Sequence, residues 1–138
     1  MFNGYLLKGG VTGTMFPEQY IEFGSYESSP NQRQDKDSTR DMNGILRRNV
    51  VLAMPTSIKF TTRDVLPMDG KQAIQAFFNA NMVNSAERKV YIEYWNDENN
   101  TYETGYFYLP DIRFPVLWHS ATTIYYGSIE IELIGYGE

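Results

Sequence analysis

Val90-Tyr91-Ile92-Glu93-Tyr94-Trp95, the polar turn from Asn96 to Thr101, and Tyr102-Glu103-Thr104-Gly105-Tyr106-Phe107-Tyr108-Leu109 decide how this chain folds. Side chains of an extended backbone alternate between two faces. Val90, Ile92 and Tyr94 therefore share one face of the first strand, and Tyr91, Glu93 and Trp95 share the other. A third strand is predicted over residues 122–134, where Ile129, Ile131 and Leu133 alternate with Ser128, Glu130 and Glu132. The pattern is that of an antiparallel sheet with one dry face and one that meets water or a partner.

Outward from this meander the signals weaken but keep the same character. Residues 5–7 read as a short first strand closed by Gly9-Gly10, and Gly13 and Pro17 punctuate a loop. Residues 20–26 alternate well enough for a second strand with Ile21 and Phe23 towards the core. Residues 45–53 and 56–62 read as two strands across the tight Met54-Pro55 link, with Ile58, Phe60 and Thr62 on one face. Pro55 lacks an amide donor and belongs at a turn or sheet edge. One amphipathic helix is expected over residues 70–81, capped by Asp69 with Gln72 three residues on. Its apolar stripe is Ala73, Phe77 and Ala80, with Ile74 and Phe78 beside them. These elements predict a mainly β domain spanning residues 1–138, an antiparallel sandwich or roll with one helix packed on the sheet.

Between these elements, Ser28 to Gly44 differs in kind. It holds Pro30, three basic residues (Arg33, Lys36, Arg40), three aspartates (Asp35, Asp37, Asp41) and almost nothing apolar besides Met42, before the turn dipeptide Asn43-Gly44. A long excursion from a compact domain is either functional or loose. Its balanced charge argues against a tail for DNA or membrane. It is an arm that orders against a neighbouring subunit, or a plain surface loop.

Composition bounds the rest. The 138 residues include eleven Tyr and eight Phe, 42% hydrophobic residues and no Cys. Such a chain builds a core without disulfides or thiolate metal sites, and fits a reducing cytoplasm. No run of about 18 apolar residues would span a membrane, and the first residues lack the features of a secretory signal. Up to Lys89 there are eleven basic and nine acidic residues. From Val90 onward, eight acidic residues face Arg113 alone. That acidic half is a solvated face, or one partner of an oppositely charged end in an oligomer. It repels nucleic acid.

The sequence offers little catalytic chemistry. His119 is the one histidine, in the aromatic loop Leu117-Trp118-His119-Ser120, and no Gly-x-Ser-x-Gly nucleophile motif accompanies it. Asp35-x-Asp37-x-x-x-Asp41 starts like a calcium loop, but Arg40 and Leu46 stand where glycine and glutamate are needed. No metal or cofactor site is expected. Tyr102, Tyr106 and Tyr108 could form a stacking row, but they lie in the acidic half, where a single strand of nucleic acid is unwelcome.

The order of signals carries a resemblance. The features are Leu6-Leu7-Lys8, an entry from Pro17 to Tyr20, and Asp37-Ser38-Thr39-Arg40-Asp41-x-Asn43-Gly44-x-Leu46-x-Arg48. Then follow Ser57-Ile58-Lys59-Phe60, the helix and Tyr91-Ile92-Glu93-Tyr94-Trp95. Last come Tyr102-x-Thr104-Gly105-x-Phe107-Tyr108-x-Pro110-Asp111 and Glu132-Leu133-Ile134. Over nearly its whole length the chain resembles short, functionally uncharacterised proteins of the tail-morphogenesis modules of tailed bacteriophages and prophages. The wider kinship implied is with tail-tube and distal-tail proteins, β-sandwiches or rolls that form rings, usually hexameric, around the tail channel.

The resemblance implies a structural virion protein at the tube, tail end or baseplate junction. Copies of itself and other tail proteins would be its partners, and DNA would be passing cargo. Expected interface residues are Arg33, Asp35, Lys36, Asp37, Arg40 and Asp41 of the arm, Asp97, Glu98 and Asn99 of the turn, and Trp118 and His119 of the 110–120 loop. Two rivals remain: a carbohydrate- or receptor-binding module using Trp95 and Trp118, and a hydrolase centred on His119.

Overall fold

The computed structural model describes residues 1–33 and 55–137 in full. Of the stretch between, it describes the backbone of residues 34–35, 39–40, 46–47 and 50–51. The predicted meander is its centre. β10 (Lys89–Asn96) pairs antiparallel with β11 (Thr101–Tyr108) along eight residues each, from Lys89↔Tyr108 to Asn96↔Thr101. Val90, Ile92, Tyr94 and Asn96 are buried, while the residues between them are half-exposed, as the alternation required.

On one side, β10 carries β1 (Leu7–Gly9) and β9 (Met82–Asn84). On the other, β11 leads to β14 (Glu130–Gly135), β7 (Ser57–Thr61) and β2 (Glu27–Ser29), completing a seven-stranded sheet. β14 and β7 present Ile131, Leu133, Ile58 and Phe60 inward, with Glu130, Glu132 and Lys59 outward. A second sheet has the order β12 (Val116–His119), β13 (Ile124–Tyr126), β8 (Leu66–Pro67). The fold is mainly β, with curled antiparallel sheets and, among the described residues, one α-helix.

That helix, α1 (Met68–Ala80), joins β8 to β9 and covers the inner face of the large sheet. Phe16 binds the layers together: its ring meets Phe60 edge-on at 5.3 Å and Phe77 at 5.1 Å, and lies 5.7 Å from Phe78. Leu66, Ile74, Tyr126 and the inward residues of both sheets belong to the same core. Burying each large apolar side chain contributes about 1.5–3 kcal/mol, which a single helix stripe and two sheet faces supply together.

Several expectations are corrected. The predicted strand over 122–134 is two strands in different sheets. The Gly127 amide donates to the Pro115 carbonyl at 2.8 Å, which turns the chain out of β13 before β14 begins. Residues 20–26 are not a strand: a 3₁₀ turn (Glu18–Tyr20) and a turn through Glu22–Ser25 occupy them, and Phe23 is fully exposed. Gly24, at φ +77°, reverses the chain there, so backbone pairing with the end of β7 stops at the single bridge Ile21↔Thr62 and the Glu22 amide.

The first strand is Leu7–Gly9, so it runs into the predicted stop instead of ending before it. Helix α1 starts at Met68 with Pro67 at its cap, and Asp69 lies within the first turn without capping it. Its buried stripe is Gly70, Ile74, Phe77 and Phe78, whereas Ala73 and Ala80 are exposed. Gly70 is part of the stripe because a Cβ there would come within 2.8 Å of the Tyr20 ring.

In the arm, β3 (Gln34–Asp35) pairs with β6 (Val50–Val51), and β4 (Thr39–Arg40) pairs with β5 (Leu46–Arg47). Outgoing and returning limbs thus pair with each other. The strand predicted over 45–53 supplies the return pieces β5 and β6. The Asn43-Gly44 turn and Met54 lie outside the described residues.

Candidate assembly surfaces

The root of the arm is fastened to the β10–β11 turn, and the reason begins with Asn96. Buried at the end of β10, it accepts the amides of Glu98 and Asn99 on Oδ1 at 3.0 and 3.1 Å. Asn100, at φ +54°, completes the reversal, and its amide bonds the Asn96 carbonyl at 2.8 Å. Asn96 Nδ2 donates across to Asn31 Oδ1 at 3.3 Å and to the Glu103 carboxylate. With the turn held, Asp97 receives the Ser28 hydroxyl. Glu98 receives the Arg33 guanidinium as a fork, with Nη1 to Oε2 at 2.8 Å and Nη2 to Oε1.

The hydrogen bonds from Arg33 hold the Glu98 carboxyl below the usual carboxylate range, and Glu98 in turn raises the Arg33 guanidinium. Both side chains are well exposed, so the pair sets geometry more than stability. Of the predicted interface residues, Arg33, Asp97 and Glu98 are therefore brought together within one subunit. Asn99 stands beside them, its Nδ2 3.3 Å from Glu103 Oε2. Asp35 and Arg40 lie on β3 and β4, where the backbone is described; Lys36, Asp37 and Asp41 lie outside the described residues.

The second surface is β12. The predicted loop over 110–120 contains this strand, which forms one edge of the small sheet. All four of its residues are exposed, among them Val116, Leu117 and Trp118 at 57–61%. Such an apolar edge normally invites pairing or is covered. Trp118 stacks on Tyr125 at 5.6 Å. The 110–115 segment before the strand is pinned to α1, with the Lys71 ammonium 5.5 Å from the Phe114 ring and 5.3 Å from the Tyr126 ring.

His119 Nδ1 lies 3.2 Å from the Ser120 carbonyl. The Ser120 hydroxyl accepts the amides of Thr122 and Thr123 at 3.3 and 3.2 Å. One ring nitrogen thus meets backbone while the exposed imidazole borders a groove, and the serine is engaged in closing the β12–β13 turn. A groove of about 520 Å³ opens between this turn and the start of α1, lined by Met68, Val116, His119, Ala121, Thr123 and Ile124, among others.

The two tryptophans do not share a platform. Trp95 lies in the large sheet, half-buried between Phe2 (5.4 Å, edge-on) and Tyr102 (5.1 Å, edge-on), whereas Trp118 belongs to the small one. Tyr102 also stacks on Tyr5 at 4.5 Å. The Tyr5 hydroxyl donates to Glu93 at 2.8 Å, and this bond, with burial, pushes its pKa up to about 12. Of the three tyrosines of the predicted stacking row, Tyr106 has a basic neighbour although it lies in the acidic half: the Lys89 ammonium is 4.6 Å from its ring.

Phe23 is the surface residue that periodicity misassigned, although Gly24-Ser25 beside it is a turn signal. Among the described residues no group of three or more His, Cys, Asp or Glu could hold a metal ion, and no helix is long and apolar enough to cross a membrane.

A model of a family of unknown function, DUF6711, matches residues 1–136. None of the curated proteins matches the chain. Among solved structures, the fold is similar to a chain of the tail of an empty GTA particle computed with helical refinement and C6 symmetry. The TM-score is 0.52 at 16% sequence identity, and the similarity covers 100% of this chain and 96% of the other.

Proposed function

We propose that this chain, which belongs to the DUF6711 family of unknown function, is a structural subunit of a phage-like tail. It acts by packing against copies of itself and against other tail proteins. The observation that carries the reading is the end-to-end similarity of fold to a tail chain, which leaves almost no part of either protein unmatched. Sixfold symmetry in that neighbour suggests a hexameric ring here, in the tube, at the tail end or at the baseplate junction, located in the virion.

The surfaces fit such a role. β12 offers an uncovered apolar edge, which ring closure would hide. The fastened arm root at Arg33–Glu98 gives the arm a defined direction of departure. Acidic side chains at Glu27, Glu130 and Glu132 project from the outer sheet face, a surface over which DNA would pass without adhering. We read the chain as non-enzymatic, since its histidine has one ring nitrogen on the adjacent backbone carbonyl and the neighbouring Ser120 hydroxyl serves a turn.

Negative-stain microscopy of the purified, concentrated protein tests the proposal. Annuli or short tubes with a central channel are expected. Featureless monomers throughout, with turnover of a small molecule that His119→Ala abolishes, would replace it with the hydrolase reading. Discrete binding on a glycan array, lost with Trp118→Ala, would favour a carbohydrate module.

A further inference from the structure

Phe23 is 99% exposed, yet the turn that presents it is firmly built. The Ser25 amide and hydroxyl both donate to the Glu22 carbonyl, at 3.1 and 2.7 Å. The same hydroxyl also approaches the Thr61 carbonyl at 3.1 Å and accepts the Thr61 amide at 3.3 Å. The Glu22 amide bonds the Thr61 carbonyl at 2.9 Å. Three contacts to the end of β7 thus fix the backbone of the turn that carries this bare aromatic ring into water. A ring on such a turn is suited to act as an anchor, because only its own side-chain rotations, not the loop, are left to order when it is covered.

The groove at the start of α1 has the complementary character. Its 520 Å³ is walled by Met68, Val116, Ala121 and Ile124, and of its lining side chains His119 is the one that can carry charge. A phenylalanine ring, which removes about 150–250 Å² of surface from water when fully covered, is the kind of apolar group that such a depression can shield. Glu22 immediately precedes Phe23 in the chain, so a ring seated in the groove brings a carboxylate to the imidazole on the rim. In its own subunit Phe23 is in water and does not fill this groove.

We propose that Phe23 of one copy seats in the Met68–Val116–Ile124 groove of a second copy, with Glu22 facing His119. Knob and groove are different surfaces of one chain, so a bound pair still offers one of each. Such a heterologous contact closes into a ring when the rotation permits and otherwise grows into a filament. The proposal rests on the self-assembly reading above and names the residues that make the contact.

The absence of cysteine provides a clean test. Glu22→Cys and His119→Cys, which keep the Phe23 ring and the apolar lining of the groove, are made separately, mixed and oxidised, and run under non-reducing conditions. A disulfide needs Cα atoms within roughly 7 Å, so the mixture is expected to cross-link while neither variant alone does. The double variant is expected to give a ladder of multimers. Phe23→Asp, at an exposed position, is expected to keep the wild-type circular dichroism and to weaken self-association roughly tenfold or more. If Phe23→Asp associates like the wild type and the mixture stays uncross-linked, the knob-and-groove contact is wrong while assembly by another surface stands. A wild-type chain that stays monomeric at high concentration, with no cross-link, overturns both.

Discussion

Replacing Asn81 with alanine removes the side chain that ties the end of α1 to the loop after β1. Asn81 is fully buried. Its Oδ1 accepts the amides of Val11 and Thr12 at 3.1 Å each and the Thr12 hydroxyl at 3.3 Å, and its Nδ2 donates to the Phe77 carbonyl at 2.8 Å. Val11 and Thr12 are exposed and can recover water; the carbonyl of the buried Phe77 has less access to it. Roughly 1 kcal/mol for the amide bonds together and about 2 kcal/mol for the stranded carbonyl gives a loss of about 3 kcal/mol, a fall in Tm on the order of 10 °C.

Gly9→Ala probes the same spot from the other side, because its Cβ would lie 2.3 Å from Asn81 Nδ2 and Oδ1. With Asn81 already alanine that obstacle is gone. The double variant is therefore expected to cost about 1–2 kcal/mol less than the two single changes added. Urea titrations followed by circular dichroism, at unchanged m, measure all four corners of the cycle. A loss below about 0.5 kcal/mol for Asn81→Ala, or additivity within that margin, refutes the reasoning. The loop also matters for assembly: Thr14, Met15 and Phe16 pair back on β1, covering an edge that would otherwise accept the wrong strand.

Phe77→Asp buries a carboxylate among Phe16, Phe78 and their neighbours, and is expected to leave insoluble or non-cooperatively unfolding protein; a soluble variant with a sharp transition contradicts it. The raised Tyr5 pKa means that the folded chain holds this proton more tightly than the unfolded chain, whose tyrosine titrates near 10. Its contribution is full below pH 10 and is lost as pH rises towards 12; the stability difference between wild type and Tyr5→Phe should fall across that window, and a constant difference refutes it. Deleting residues 33–40 should leave a folded subunit that no longer assembles, and rings at wild-type concentration would count against the arm.

Much of the fold could be read from the sequence where period and context agreed. In β10, β7 and β14 every second residue is buried, so a period of two specified both element and face. The errors share one physical origin. Alternation states which residues an extended chain would place together, but it does not say whether a neighbouring strand is there to receive them. Residues 20–26 alternate yet turn at Gly24, and residues 122–134 alternate yet cross from one sheet to the other at Gly127. On α1 the small Gly70, not Ala73 or Ala80, faces the core, because Tyr20 and Leu66 leave no room there for a Cβ. The pairing of Arg33 with Glu98 joins residues 65 positions apart, and no local pattern encodes such a contact. Phe23 was legible as an aromatic but not as a surface anchor, since its exposure depends on hydrogen bonds to Thr61.

The mass of the purified chain in solution, by native mass spectrometry across a concentration series, addresses the proposed role most directly. A closed species built from 16.0 kDa chains, six of them by the symmetry of the similar tail, is expected to accumulate with concentration at the expense of single subunits. A lone 16.0 kDa species at every concentration would contradict a role in self-assembly.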